Sequence, residues 1–147
     1  MIESWLPIAV PAAIGSAATI STHFLTSVIS RVFADRDAKR SKLNSDLEFL
    51  ERTIFETRDA AKNYWAEDGD DAEVSSSIVG RLAFIGEYIG ENRKIWQDGE
   101  KLINDFDDCC TSGDFQSHRK KAELRRATEI EVSAYKLVLA VRRARQR

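Results

Sequence analysis

The chain has 147 residues, of which 43% are hydrophobic and 31% are charged, and its formal net charge is −2. This composition excludes a disordered chain, and the near-neutral charge argues against a general nucleic-acid binder, because phosphate neutralisation needs a basic surface. The only two prolines, Pro7 and Pro11, lie near the N-terminus, which favours long helices in the rest of the chain. The residues after position 33 are enough for one small domain and too few for two.

The N-terminal segment predicts a membrane-spanning helix. No Asp, Glu, Lys or Arg occurs from Ser4 to Ser30, a run of 27 residues, whereas about 20 helical residues suffice to cross a hydrocarbon core of about 30 Å. Glu3 stands where a cleavable signal peptide would carry cations, so we expect the segment to be retained. The sequence therefore predicts an all-α protein with an N-terminal transmembrane helix over 1–33 and a cytoplasmic helical bundle over 34–147.

The residues that follow this run predict its orientation. Five cations lie within twelve residues of one another, namely Arg31, Arg36, Lys39, Arg40 and Lys42. No Lys or Arg precedes the run, so the positive-inside rule places the N-terminus outside and the C-terminal domain in the cytoplasm of a bacterial inner-membrane protein. We expect these five cations to contact the membrane surface.

The predicted span is unusually polar on one side. Ser16, Thr19, His23, Thr26 and Ser30 recur at spacings of three and four residues, which places them on a single face of a helix. Hydroxyl and imidazole groups in lipid need a partner or water, so this face is predicted to be an oligomer interface or a pore lining. Three interpretations stay open: a helix dimer or trimer, a larger ring around a water-filled pore, and a helix buried in a soluble bundle.

Three long helices are predicted for the cytoplasmic bundle. Apolar residues recur at four and then three positions from Leu43 to Tyr64, and this first helix ends at the acidic stretch 67–71. The second helix repeats the pattern from Ile78 to Phe106, with Asn92 in its apolar seam fixing the register. Its glycines, at positions 80, 86, 90 and 99, indicate close backbone approach or local bending.

The last predicted helix follows a loop over 105–117 that is rich in turn-forming residues, with Ser117 as its cap. Cations are expected on the surface of its first turns, at Arg119, Lys120, Lys121, Arg125 and Arg126, and others follow at its end, at Arg142, Arg143, Arg145 and Arg147. The terminal group is consistent with a solvated tail, with contact to anionic lipid headgroups, or with RNA binding.

The sequence offers little catalytic chemistry. Cys109 or Cys110 together with His118 suggests a thiol nucleophile, but an orienting third group and an oxyanion feature are missing. Adjacent cysteines suit reduced thiols in a cytosolic compartment. The acidic stretch 67–71 does not match a calcium-binding loop, and phosphate-loop and zinc spacings are absent from the sequence. We therefore expect no enzyme activity, no cofactor and no metal.

The layout of the chain resembles that of a group of short single-pass bacterial membrane proteins. The shared features are the charge-free span, the cations that follow it, and a helical domain containing Thr111-Ser-Gly-Asp-Phe115 before its last helix. These proteins are related to the Csx-type accessory proteins of RNA-targeting type VI CRISPR systems. The resemblance implies a HEPN-like bundle and membrane oligomers with a central pore that act in antiviral defence. HEPN nucleases carry an Arg four to six residues before a His, and neither His23 nor His118 has one, so nuclease activity is not implied.

Taken with the polar face, these features predict a homo-oligomeric membrane protein that forms a pore or depolarises the membrane in antiphage defence. The alternative is a membrane-anchored adaptor or scaffold whose bundle recruits a cytoplasmic protein effector. The predicted partners are further copies of the chain and the lipid bilayer, and nucleic acid is not expected.

Overall fold

A computed structural model describes the backbone of residues 6–96 and 98–146, and the side chains at 30, 31, 33–96 and 98–146. Its regular elements are α1 (Leu6–Ala66), α2 (Ala72–Glu91), α3 (Gly99–Thr111) and α4 (Leu124–Arg145). These described ranges contain no strand, which confirms the predicted all-α class.

The chain divides into two compact units, Met1–Lys42 and Leu43–Arg147. Every side chain that the structure describes in the first unit is exposed. Within the described side chains, no helix is both long and apolar enough to cross a membrane. Of the predicted span over 1–33, only the side chains of Ser30, Arg31 and Phe33 belong to this set, and the predicted domain boundary after residue 33 stays a prediction.

The second unit is an up–down–up–down bundle of four helical segments. The rings of Phe49 and Phe84 meet at 5.5 Å where α1 packs against α2, and α3 packs against both α2 and α4. Arg58 Nη1 lies 3.1 Å from Glu131 Oε1, whereas Glu51, nearer the start of this part of α1, pairs with Arg142 near the end of α4. Helices α1 and α4 therefore run antiparallel.

The apolar seams predicted from the sequence form the core. Burying each large aliphatic or aromatic side chain contributes about 1.5–3 kcal/mol, so these residues supply most of the stabilising free energy of the bundle. The fully buried members include Leu47, Leu50, Ile54 and Trp65 of α1, Ile78, Ile85 and Ile89 of α2, Phe106 of α3, and Ile130, Leu137 and Val138 of α4.

The predicted helix from Ile78 to Phe106 is wrong, because the chain forms two helices there. The backbone N–H of Asn92 donates to Tyr88 O at 3.3 Å, and its side-chain Nδ2 donates to the same oxygen at 2.8 Å. Asn92 thus ends α2 rather than fixing the register of a longer helix, in keeping with the tendency of Asn to compete for backbone hydrogen bonds. The bundle therefore has four helical segments instead of three.

The loop predicted over 105–117 begins too early. Helix α3 continues to Thr111, because Phe106 and Cys110 are fully buried on its inner face. Burial of these side chains outweighs the turn preference of the local sequence.

The expected cap of the last helix is also wrong. Helix α4 begins at Leu124 after Glu123, seven positions beyond the predicted cap. Ser117 instead lies within the loop, where its Oγ accepts a hydrogen bond from the Arg119 N–H at 3.2 Å. The hydroxyl therefore stabilises a turn between the helices.

Of the four glycines at positions 80, 86, 90 and 99, only Gly99 lies in the predicted close contact with its neighbours. A Cβ on Gly99 would lie 2.6 Å from Trp96 Cβ and 2.7 Å from Ile89 Cγ2, whereas one on Gly80 would meet no heavy atom within 4 Å. We expect Gly99→Ala to lower the free energy of unfolding by about 1–3 kcal/mol through overpacking. Gly80→Ala, the matched control, should raise it by about 0.5–1 kcal/mol. Urea unfolding measures both, and equal changes in the two variants would contradict this packing.

Candidate functional site

The predicted polar face lies largely outside the described side chains. The backbone of Ser16, Thr19, His23 and Thr26 belongs to α1, and their side chains are not among those the structure describes. Ser30, the last member, is described and exposed. The role of this face as an interface or pore lining stays a prediction.

The basic flank lies on the exposed surface of α1. Its members are Arg31, Arg36, Lys39, Arg40 and Lys42. Lys39 Nζ lies 2.7 Å from Asp35 Oδ2 one turn earlier, and an exposed pair of this kind contributes only about 0.3–0.5 kcal/mol. The pairing therefore leaves the flank exposed, and its predicted contact with a membrane surface stays a prediction.

Two of the four terminal arginines are not a free tail. Arg142 Nη2 lies 2.5 Å from Glu51 Oε1, and Arg145 Nη2 lies 2.5 Å from Glu48 Oε1. The hydrogen bond to Glu51 raises the pKa of Arg142 above its ordinary value. These pairs connect α4 to α1. The interpretation of the terminal arginines as a solvated tail is therefore wrong for Arg142 and Arg145.

The acidic stretch 67–71 is a structural turn. Asp71 caps α2 by accepting the N–H groups of Glu73 and Val74, both at 3.1 Å. Asp68 accepts the Ala122 N–H at 2.8 Å, and this hydrogen bond keeps the pKa of the Asp68 carboxyl below its usual value. Among the residues described, no cluster of His, Cys, Asp or Glu could hold a metal ion. Several of the carboxylates in this stretch thus have partners within the fold.

The cysteines are not arranged for nucleophilic chemistry. Cys110 is fully buried, and burial raises the pKa of its thiol, so the sulfur stays protonated. Cys109 is half-buried on α3, whereas His118 is exposed in the loop before α4. No contact described in the structure joins either sulfur to this imidazole.

A buried lysine fastens the end of α1, and the sequence did not indicate it. Lys120 was expected on the surface, but only 1% of it is exposed. Its Nζ donates to Tyr64 O at 2.7 Å and to Glu67 O, and it lies 4.4 Å from the centroid of the Tyr64 ring. The last carbonyls of a helix lack partners within it, and Lys120 supplies donors to them.

Lys120 belongs to an aromatic–cation cluster that also contains Tyr64, Trp65, Phe115 and Arg126. Trp65 Nε1 donates to Cys110 O at 2.8 Å, and the Arg126 guanidinium lies 3.9 Å from the centroid of the Trp65 ring. Burial raises the pKa of Tyr64 to about 12, so its hydroxyl is protonated at neutral pH and donates to Asp70 Oδ1 at 2.7 Å. The cluster fixes the loop between α3 and α4 against the end of α1.

The surface between α3 and α4 carries an open groove, the α3–α4 groove. It consists of two adjoining depressions of about 630 Å³ and about 440 Å³ that share Leu102, Asp105 and Lys136. Val132 and Leu139 line it and are each about half exposed. Apolar and charged side chains both line this groove.

The chain was compared with family models, curated proteins and solved structures. None of them matches it. The resemblance to proteins related to the Csx-type group therefore stays a prediction.

Proposed function

We propose that the chain is a homo-oligomeric, single-pass membrane protein that permeabilises or depolarises the bacterial inner membrane. The observation that carries this proposal is the charge-free run of 27 residues with Ser16, Thr19, His23, Thr26 and Ser30 on one helical face. A simple anchor needs only apolar residues, whereas a polar face in lipid needs a partner or water. If several copies meet through this face, each copy provides polar partners for the others, and a ring of copies can also enclose water.

The exposed basic flank supports the orientation. Cations such as Arg31 and Arg36 follow the run directly and are exposed on α1, where anionic headgroups of the cytoplasmic leaflet would attract them. The bundle would then lie in the cytoplasm, an environment that suits the free thiols of Cys109 and Cys110. The proposed setting, defence against phage, comes from the family resemblance.

The test uses the full chain in bacteria and in liposomes. We expect the protein in the membrane fraction after an alkaline wash, and an assembly of several copies when its mass is measured by light scattering in detergent. Liposomes that contain the chain should release a trapped dye. Recovery in the soluble fraction would contradict the membrane assignment, and a strict monomer or dimer without dye release would contradict the pore.

The adaptor hypothesis predicts a different outcome when residues 4–30 are replaced by an unrelated apolar span. An adaptor would keep its cellular activity, because the span would serve only to anchor the bundle. A pore would lose both dye release and cellular activity, because the polar face would be gone.

A further inference from the structure

Phe33 is a large apolar side chain within the charged segment that follows the charge-free run. It is 58% exposed, and the side chains of Ser30, Arg31 and residues 34–42 around it are exposed as well. A single exposed phenylalanine is common on protein surfaces, so exposure alone identifies no partner for this ring. The position of Phe33 along α1 is more informative.

Phe33 lies where α1 changes from an uncharged to a charged helix. A helical side chain has as its neighbours the residues three and four positions before and after it. Before Phe33 these are Ile29 and Ser30, and after it they are Arg36 and Asp37. The ring therefore has an uncharged turn on one side and a charged turn on the other.

This change along the helix argues against a second helix as the cover for the ring. A helix that packed along this face would next meet Arg36 or Asp37 and then Arg40, where a packing seam has apolar residues. The edge of a bilayer has the required change of environment, because its hydrocarbon core adjoins a layer of polar headgroups. A phenylalanine ring is favourable on the hydrocarbon side of that edge.

The charges after Phe33 fit the headgroup side. Residues 31–42 contain five cations and two acids, Asp35 and Asp37, so cations stay in excess even though Lys39 pairs with Asp35. Helical side chains lean towards the N-terminus of their helix, which is the membrane side of this segment in the proposed orientation. Long side chains such as that of Arg36 can therefore reach back to headgroup phosphates.

We propose that Phe33 lies at the cytoplasmic edge of the hydrocarbon core and fixes the depth of α1 in the bilayer. This inference rests on the proposed membrane-spanning function, and it adds the register of the span, which that function leaves open. About 20 helical residues cross the core, so its outer edge falls near Ala13.

This register places His23 close to the middle of the bilayer. His23 lies ten residues before Phe33 in the same helix, which at about 1.5 Å per residue is about 15 Å deeper in a core about 30 Å thick. It is the one ionisable side chain between Ser4 and Ser30. A polar group at that depth has the greatest need of a partner or of water.

The test measures depth with two matched variants of the full chain in liposomes of phosphatidylcholine and phosphatidylglycerol. Phe33→Trp probes the proposed edge, and Phe24→Trp, nine residues earlier, probes a position near the middle. Both variants also carry Trp5→Phe. The other tryptophans, Trp65 and Trp96, are buried in the second unit, and the chain with Trp5→Phe alone measures their constant background.

Quenching by bromine atoms on the lipid acyl chains reports the depth of each added tryptophan. We expect Phe33→Trp to lose more fluorescence to bromines near the headgroups than to bromines near the chain ends, and Phe24→Trp to show the opposite order. Deep quenching of Phe33→Trp, or its absence while Phe24→Trp is quenched, would overturn the inference. Shielding of Phe33→Trp from both lipid bromines and aqueous acrylamide would show a contact with another copy, and would overturn it as well.

The proposed function and this inference fail in different ways. If neither variant is quenched by the lipids and both are recovered in the soluble fraction after an alkaline wash, the membrane function itself is wrong. If both resist the wash but Phe33→Trp is quenched at the wrong depth, only the register is wrong. If both are quenched as expected and the liposomes release no dye, the register holds and only the pore is wrong.

Discussion

Replacing Lys120 with methionine is expected to lower the free energy of unfolding by about 2–4 kcal/mol, because each hydrogen bond from a charged donor contributes about 1.5–3 kcal/mol. Methionine keeps the length and most of the packing against Tyr64 and Trp65, so the change isolates the loss of the ammonium group. The carbonyls of Tyr64 and Glu67 would lose its donated hydrogen bonds at the end of α1. For a domain of this size the loss corresponds to a fall in Tm of about 8–15 °C.

Thermal unfolding followed by circular dichroism measures this effect. Lys121→Met is the matched control, because the neighbouring side chain is 82% exposed and lies 3.7 Å from Asp68. Solvent screens an exposed pair of this kind, so the control should unfold close to the wild type. Equal shifts for Lys120 and Lys121 would contradict the buried role of Lys120.

Thr19→Leu and His23→Leu are each expected to abolish dye release from liposomes while leaving membrane insertion intact. Leucine is more favourable than threonine or histidine in lipid, so insertion should not suffer. Both changes remove polar groups from the face that is proposed to line the contact or the pore. Dye release per membrane-inserted chain is the quantity to compare.

Ser21→Leu provides the matched control for this pair of variants. Ser21 lies two residues from each of Thr19 and His23, which places it on the opposite side of a helix. The change is chemically similar, and dye release should stay close to that of the wild type. Loss of release in all three variants would show that any added bulk suffices, and it would contradict a specific polar face.

The sequence identified the interior of the bundle more reliably than the ends of its elements. The seams through Leu47, Leu50, Ile78 and Ile130 were predicted and are buried, because helical periodicity records which side of each helix avoids water. The same periodicity continues across the break at Asn92. A pattern of burial therefore could not reveal that the chain turns there.

Some of the candidate sites could be predicted from the sequence, and others could not. The polar face and the basic flank were evident from spacing and charge alone, since both lie within one continuous segment. Lys120 and the α3–α4 groove were not evident. Lys120 is buried only because the loop before α4 returns to the end of α1, and the groove exists only because two helices distant in sequence lie side by side.

The sequence alone determined the all-α class, the amphipathic seams, the charge-free run from Ser4 to Ser30 and the cations that follow it. Each of these depends on residues within a few turns of one another, so spacing is sufficient to specify them. The tertiary structure decided where α2, α3 and α4 end, which cations are buried or paired, and which surface is left uncovered. These features depend on contacts between residues far apart in the chain, and local periodicity carries no information about such contacts.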